Sequence, residues 1–249
     1  MEVVEEVWRR AVSVQPVPPA GTVVLIALTA LAGVVLPRLW PITRLMVTVT
    51  HEGAHAFAAV LTGRRLQGIR LHTDTSGLTV SQGSPSGPGM VLMLAAGYLG
   101  PALVGLGAAL LLAAGRSIAL LWLLLAVLSV MLLQIRNAYG LVVILAGGSG
   151  VFAATWFLSA TTQSTLAYLI TWLLLVAAPK PVLELMAQRR RGRGSHSDAD
   201  QLSRLTGVPG VLWTWLFLLA NLAGLVVGSL LLLPDVAEVV RAAAGRFAG

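Results

Sequence analysis

The stretch MVLMLAAGYLGPALVGLGAALLLAA, residues 90–114, runs for 25 residues without a charged side chain. About 20 apolar residues in a helix cross the hydrocarbon core of a bilayer, so this stretch is long enough to span a membrane. The whole chain has 249 residues, of which 57% are hydrophobic and only 11% are charged. Soluble domains carry about 25% charged residues. The sequence therefore predicts an all-α polytopic membrane protein and excludes an ordinary soluble domain.

Apolar segments of similar character lie on both sides of this stretch and predict six or seven spans. The count is open because only Gln134-Ile-Arg-Asn137 separates two of them. We expect one membrane-embedded domain over residues 21–233, between an N-terminal segment (1–20) and a C-terminal tail (234–249). The predicted spans cover residues 22–40, 42–61, 90–114, 118–133, 139–158, 166–185 and 211–233.

The basic residues, which give a net charge of +7, gather in short polar gaps between the apolar segments. They form no stripe with interleaved aromatic side chains, so nucleic acid is not an expected partner. The expected partner is the lipid bilayer. Basic loops normally stay in the cytosol. If the segment from Lys180 to Arg204, which includes most of a basic loop over residues 187–208, is cytosolic, a seven-span count puts 12 of the 17 basic residues on that side, including Arg9 and Arg10. We therefore expect the N-terminus and the basic loop to be cytosolic.

The polar gap after the second apolar segment has a pattern of its own. Side chains of differing polarity alternate on both sides of Thr75-Ser-Gly77. Alternation around a turn sequence is typical of a β-hairpin. The pattern predicts a short hairpin over residues 64–83 at the membrane surface.

The motif with the clearest chemistry is His51-Glu52-Gly53-Ala54-His55, within an apolar segment. Positions i and i+4 share one face of a helix, so both imidazoles can reach one Zn²⁺, and Glu52 can hold the reacting water and take its proton. The chain has no cysteine, so any metal must be held by His, Asp, Glu or backbone groups. The alternative is a short interfacial helix whose polar face contacts water. In that case, nothing offsets the free-energy cost of burying the two histidines and the glutamate.

At these residues the chain resembles the site-2 protease family of intramembrane zinc metallopeptidases, and within it the bacterial site-2-protease-like branch. The resemblance covers most of residues 40–233. It is carried by Thr50–Ala56, Leu61–Arg64, Asp74–Gly77, Ala96–Pro101, Arg136–Gly140, Ser197–Leu202, Leu205–Pro209 and Trp213.

The resemblance implies that His51 and His55 are zinc ligands and that Glu52 is the catalytic acid–base. It implies hydrolysis of peptide bonds in membrane-spanning or membrane-proximal substrates, in the plasma membrane of a bacterium. It also suggests that an unfolded substrate strand pairs with the edge of the hairpin, as in other strand-addition complexes.

The third zinc ligand is the main departure from the family pattern. Better-known members use an aspartate in an Asn-Pro-Asp-Gly or Leu-Asp-Gly motif, and this chain has neither. Asp198 is the first candidate, and its alternative role is the N-cap of a helix over residues 199–205. Asn137 either ligates weakly, fixes the water held by Glu52, or bridges two helices.

Four further features have residues that could take part in binding or catalysis, and two of these features have more than one interpretation. His72 and Asp74 share a strand face and could together bind metal or substrate. Tyr98 is an oxyanion donor or an interfacial anchor, and the glycines around it permit a close helix approach, a helix break or ordinary small-residue packing. Glu184 is expected to pair with the arginines 189–191, and His196 is expected to be solvated.

Two other functions compete with the peptidase. The missing aspartate motif favours a catalytically incomplete, metal-binding membrane protein of the same fold. A small transporter is the other, but it predicts ionisable residues spread over several spans or paired broken helices. In this sequence they are concentrated in one segment.

Overall fold

The structure, a computed structural model, describes residues 2–191 and 197–233. It confirms a mostly helical polytopic protein with one small two-stranded sheet. His196 and the tail from residue 234 lie outside the described residues. The elements are α1 Glu2–Val12, α2 Ala20–Val35, α3 Trp40–Leu61, β1 Arg65–Leu71, β2 Gly77–Gln82, α4 Pro88–Ala113, α5 Ser117–Gln134, α6 Ala138–Phe157, α7 Ala160–Ala177, α8 Pro179–Arg190, α9 Asp198–Thr206 and α10 Gly210–Leu232.

Within the described residues, five helices are long and apolar enough to cross a membrane, with α7 and α8 counted as one. Helices α2 and α3 pass the same test only as a pair, and they bend by 96° at the break between them. The 16 residues of α2 rise about 24 Å, which is short of a core of about 30 Å. The count is six if the bent pair is one span, the lower of the two predicted figures.

Helix α4 is the centre of the bundle, because α3, α7 and α10 all pack against it. Small side chains on α4 allow these close contacts: Gly100 faces Ala54 of α3, and Gly105 faces Leu175 of α7. The largest apolar cluster joins α4 and α7 with α2 and α5 around Leu112, Leu121 and Leu175. The contact between Gly100 and Ala54 brings α3 close against α4.

The two ends of the bundle carry different segments of the chain. The N-terminal segment meets the start of α5, where the Gln15 backbone N–H donates to the Gly115 carbonyl at 2.9 Å. The hairpin meets the other end of α5, where the Arg136 N–H donates to the Ile69 carbonyl at 2.9 Å. The end of α8 and the start of α9 meet at the hairpin end, where Arg189 pairs with Asp200 and Asp198 contacts His51 of α3.

The N-terminal segment and the basic loop therefore lie at opposite ends of helices that cross the bundle. These opposite positions do not fit the expectation that both are cytosolic. The physical reason is the sharp bend after α2, because a count with α2 and α3 as one bent span has one crossing fewer than the seven-span count. Without Arg9 and Arg10, the basic residues on the side of the loop fall from 12 to 10 of 17.

The hairpin pairs β1 with β2 in antiparallel register, from Arg65 opposite Gln82 to Leu71 opposite Gly77. Ile69 and Leu71 are fully buried against Met131 of α5. The outer edge of β1 is occupied, because Ile69 forms a parallel bridge with Ile135. In the described part of the chain, the outer edge of β2 has no strand partner.

Candidate metal centre

The two histidines of the sequence motif lie one turn apart on α3 and point to the same place. Their Nε2 atoms are 3.0 Å apart. The carboxylate of Asp198, at the start of α9, meets both: its Oδ2 is 3.3 Å from Nε2 of His51 and 3.3 Å from Nε2 of His55. Three potential metal ligands thus converge from α3 and α9.

The spacing of these atoms suits zinc. With metal–ligand bonds of about 2.0–2.1 Å, a tetrahedral zinc site has ligand atoms about 3.3 Å apart along each edge. The three observed separations are 3.0, 3.3 and 3.3 Å, close to one face of such a tetrahedron. Two imidazole nitrogens and one carboxylate oxygen form a donor set typical of catalytic zinc.

The backbone of α4 orients one of the ligands. Nδ1 of His55 lies 2.7 Å from the carbonyl oxygen of Met93. A carbonyl only accepts hydrogen bonds, so Nδ1 carries the hydrogen, and Nε2 is left with the lone pair that binds a metal. No sequence pattern predicts this contact, because any residue at position 93 offers the same carbonyl.

Asp198 does not cap its helix. The N-cap of α9 is Ser197, whose hydroxyl accepts from the Asp200 N–H, and the Asp200 side chain completes a capping box. The interpretation of Asp198 as the cap is therefore wrong, and its carboxylate faces the histidines.

A salt bridge from Arg189 of α8 to Asp200 ties the capping box to the bundle. Sequence reasoning missed this pair, because it expected the arginines 189–191 to pair with Glu184.

Glu52 lies beside this trio and against the hairpin. It is buried, at 4% exposed. The hydroxyl of Thr79 on β2 donates to its Oε2 at 2.6 Å. A Cβ built on Gly77 would lie 2.6 Å from Oε1, so only glycine leaves room for the carboxylate there. The hairpin thus holds the glutamate from two sides, which the sequence did not predict because Thr79 resembles any strand threonine.

For the zinc-dependent peptide hydrolysis that the family resemblance implies, we expect Thr79→Val to reduce turnover by about 10-fold or more with little change in zinc content. The substitution keeps the shape of the side chain but removes the donor, and a hydrogen bond to a charged group contributes about 1.5–3 kcal/mol. Cleavage kinetics of a membrane-reconstituted substrate measure the effect. Thr79→Ser keeps the hydroxyl and should restore most of the rate. Equal losses in both variants would instead point to packing.

Gly97 of α4 faces the imidazoles directly. A Cβ at this position would overlap the ring of His55 and lie 2.7 Å from Cε1 of His51. The glycine-rich segment therefore serves as a close approach, and α4 continues through it as a helix. The alternative of a break at this segment is wrong.

We expect Gly97→Ala to lower zinc affinity at least 10-fold, because the added methyl group must push the ligand rings apart. Zinc content after dialysis against a metal buffer measures the loss. Gly107→Ala is the matched control: it lies on the same helix, and its Cβ would meet nothing within 4 Å. If both variants kept a full zinc load, the rings would not be confined by Gly97.

Asn137 serves the hairpin in this structure. Its side-chain amide donates to the Leu71 carbonyl at 2.7 Å, and its Oδ1 accepts from the Leu71 N–H at 3.2 Å. It therefore extends the occupied edge of β1 and joins that strand to the start of α6, a role that differs from the three predicted ones. Both of its polar groups are used in this way.

The other predicted site residues lie around the centre or away from it. Tyr98 packs edge-on against the ring of His51, with centroids 4.9 Å apart, and stacks on Phe217 of α10. His72 and Asp74 lie at the exposed hairpin turn, where both contact Ser76. The hydrogen bond from the Ser76 hydroxyl lowers the pKa of Asp74.

Glu184 lies nearest to Arg44 of α3, at 3.8 Å. Its expected pairing with the arginine run is therefore wrong. Within the described residues, Arg189 is the arginine of that run that has an acidic partner. It forms a salt bridge with Asp200.

The family model for Peptidase M50B-like proteins matches residues 24–228, more than four fifths of the chain. The matched stretch includes the histidine motif, the hairpin and Asp198. No curated protein and no solved structure matches the chain. A family match of this extent confirms the resemblance indicated by the motifs: the chain belongs to the Peptidase M50B-like family.

Proposed function

We propose that this protein is an intramembrane zinc metallopeptidase that hydrolyses peptide bonds of membrane-spanning or membrane-proximal substrates. One observation carries the proposal: two histidines and an aspartate from distant segments converge at zinc spacing, with a buried glutamate beside them. The family assignment supports the same chemistry.

In this proposal His51, His55 and Asp198 hold the zinc, and Glu52 is the general base and acid. Zinc in such a site polarises the scissile carbonyl and lowers the pKa of a water molecule to about 7. Glu52 takes the proton of the attacking water and returns it to the leaving amine. Thr79 keeps the carboxylate aimed at the reaction centre through its hydrogen bond.

The hairpin supports a specific route for the substrate. The edge of β1 is closed by Ile135 and Asn137, which leaves the edge of β2 for an added strand. Thr79 of β2 touches Glu52, so a segment paired with β2 would run close to the catalytic carboxylate. Edge pairing needs an extended backbone, so a helical substrate must unwind locally before it is cut.

The charge distribution supports a cytosolic position for the hairpin end of the bundle. Ten basic residues lie in the hairpin, its neighbouring loop and the stretch from Lys180 to Arg204, and basic segments stay on the cytosolic side. The metal centre then faces the cytosolic half of a bacterial plasma membrane. The N-terminal segment lies on the other side, and one catalytic domain covers residues 21–233.

The test is metal-dependent cleavage. We expect purified protein in lipid nanodiscs to cut a single-span substrate at defined bonds, to lose all cutting after treatment with a zinc chelator, and to regain it with one equivalent of zinc. Mass spectrometry of the products measures the reaction. Stoichiometric zinc without cleavage of a broad set of single-span peptides would favour the catalytically incomplete alternative. Solute flux without cleavage would favour a transporter.

A further inference from the structure

A groove between α8 and α10 lies outside the metal centre and has no role in the proposed hydrolysis. It has a volume of about 400 Å³. Its floor is Leu218, which is buried, and its walls include Leu183 and Trp215, which are about half exposed. The lining residues are Leu183, Met186, Ala187, Arg190, Arg191, Trp215 and Leu218.

The chemistry of the groove changes along its length. Leu183, Met186 and Ala187 make one side apolar, and two arginines lie at the C-terminal end of α8. An apolar channel excludes a purely polar ligand, because its walls offer no hydrogen bonds. Adjacent guanidinium groups favour an anion with several oxygens, above all a phosphate.

The position of the groove favours a ligand from the bilayer. Helix α10 is a span candidate, and its Leu212, Leu216 and Leu219 are more than half exposed on the described surface. Trp215 lines the same groove as the arginines, and tryptophan concentrates at the level of lipid headgroups. An acyl chain can therefore lie in the apolar part while the headgroup reaches the arginines.

We propose that this groove binds one anionic phospholipid, with an acyl chain against Leu183 and Leu218 and the phosphate between Arg190 and Arg191. Clustered basic residues on the cytosolic side of a span attract anionic lipid. Because the groove confines the bound lipid to one place on the protein, binding is saturable. The proposal is independent of peptidase activity, and a protein that cuts nothing would still bind the lipid.

The test measures bound lipid by native mass spectrometry of the full chain in detergent titrated with phosphatidylglycerol, phosphatidylcholine or inorganic phosphate. We expect one phosphatidylglycerol per chain at saturation and at least 10-fold weaker retention of phosphatidylcholine. Arg190→Gln/Arg191→Gln should weaken the phosphatidylglycerol affinity at least 10-fold. Ala187→Phe, which fills the groove and keeps both charges, should weaken it similarly.

The matched control is Arg70→Gln/Arg204→Gln, which removes two exposed arginines at the same end of the bundle. It should retain the lipid as the wild type does. Equal loss in both double variants would mean non-specific charge attraction, and undiminished binding in Ala187→Phe would mean that the groove is not used. Inorganic phosphate that displaces the lipid completely at millimolar concentration would mean an anion site alone. Any of these three results overturns the proposal.

Discussion

Glu52→Gln should abolish cleavage, with turnover about 10²–10⁴-fold below that of the wild type and zinc content unchanged. General acid–base catalysis contributes rate factors of this size. Glutamine keeps the length of the side chain and an oxygen that accepts from the Thr79 hydroxyl. The substitution therefore removes the proton acceptor and leaves the packing against the hairpin in place. Product formation in nanodiscs and zinc per chain are the two measurements.

The matched control for this variant is Glu184→Gln, which makes the same chemical change on α8. Glu184 lies 3.8 Å from Arg44 and is not part of the converging trio. It should keep nearly full activity, because a partly exposed ion pair contributes little to stability. Wild-type cleavage by Glu52→Gln would refute the proposed mechanism, whatever the zinc content.

The sequence predicted the parts of this fold that depend on local pattern. Residues 90–114 were expected to form a span, and α4 runs from Pro88 to Ala113. The hairpin was expected over residues 64–83, and its strands occupy 65–71 and 77–82. Length and hydrophobicity determine a membrane helix almost without regard to its neighbours, because the bilayer supplies the same apolar surroundings everywhere.

The bend between α2 and α3 shows where local pattern was insufficient. Both segments are apolar enough to be counted as spans. That count placed the N-terminal segment at the hairpin end of the bundle, whereas the structure places it at the other end. Pro37, two residues beyond the end of α2, was the available signal, since proline often follows a helix end. A proline does not give the angle of the next helix, so the 96° turn could not be predicted.

The candidate site divides in the same way. The site residues His51, Glu52 and His55 could be predicted from the sequence, because a helix places positions i and i+4 on one face. The contacts of Thr79 and of the Met93 carbonyl could not be predicted, because each group reaches the site through packing between elements distant in sequence. Asp198 is an intermediate case. Its place in the Ser197–Leu202 stretch of the family resemblance suggested it, and the packing of α9 brings it to the histidines.

Asp198→Ala should lose zinc, with an affinity drop larger than the roughly 10–100-fold that follows loss of a supporting residue around a metal site. The substitution removes one of three converging ligand atoms, 3.3 Å from each imidazole nitrogen. Cleavage should fall with zinc occupancy. Zinc per chain after dialysis at a series of buffered zinc concentrations gives the affinity, and added zinc should restore part of the activity.

Two companion variants separate ligation from structure. Ser197→Ala removes the helix cap beside Asp198, which costs about 1 kcal/mol of helix stability, and it should leave zinc affinity nearly intact. Asn137→Ala removes the hydrogen bonds to Leu71, so it should loosen the hairpin without releasing the metal. Since these changes disturb α9 and the hairpin but keep the carboxylate of Asp198, only Asp198→Ala should lose zinc. A full zinc load in Asp198→Ala would exclude this residue as a ligand.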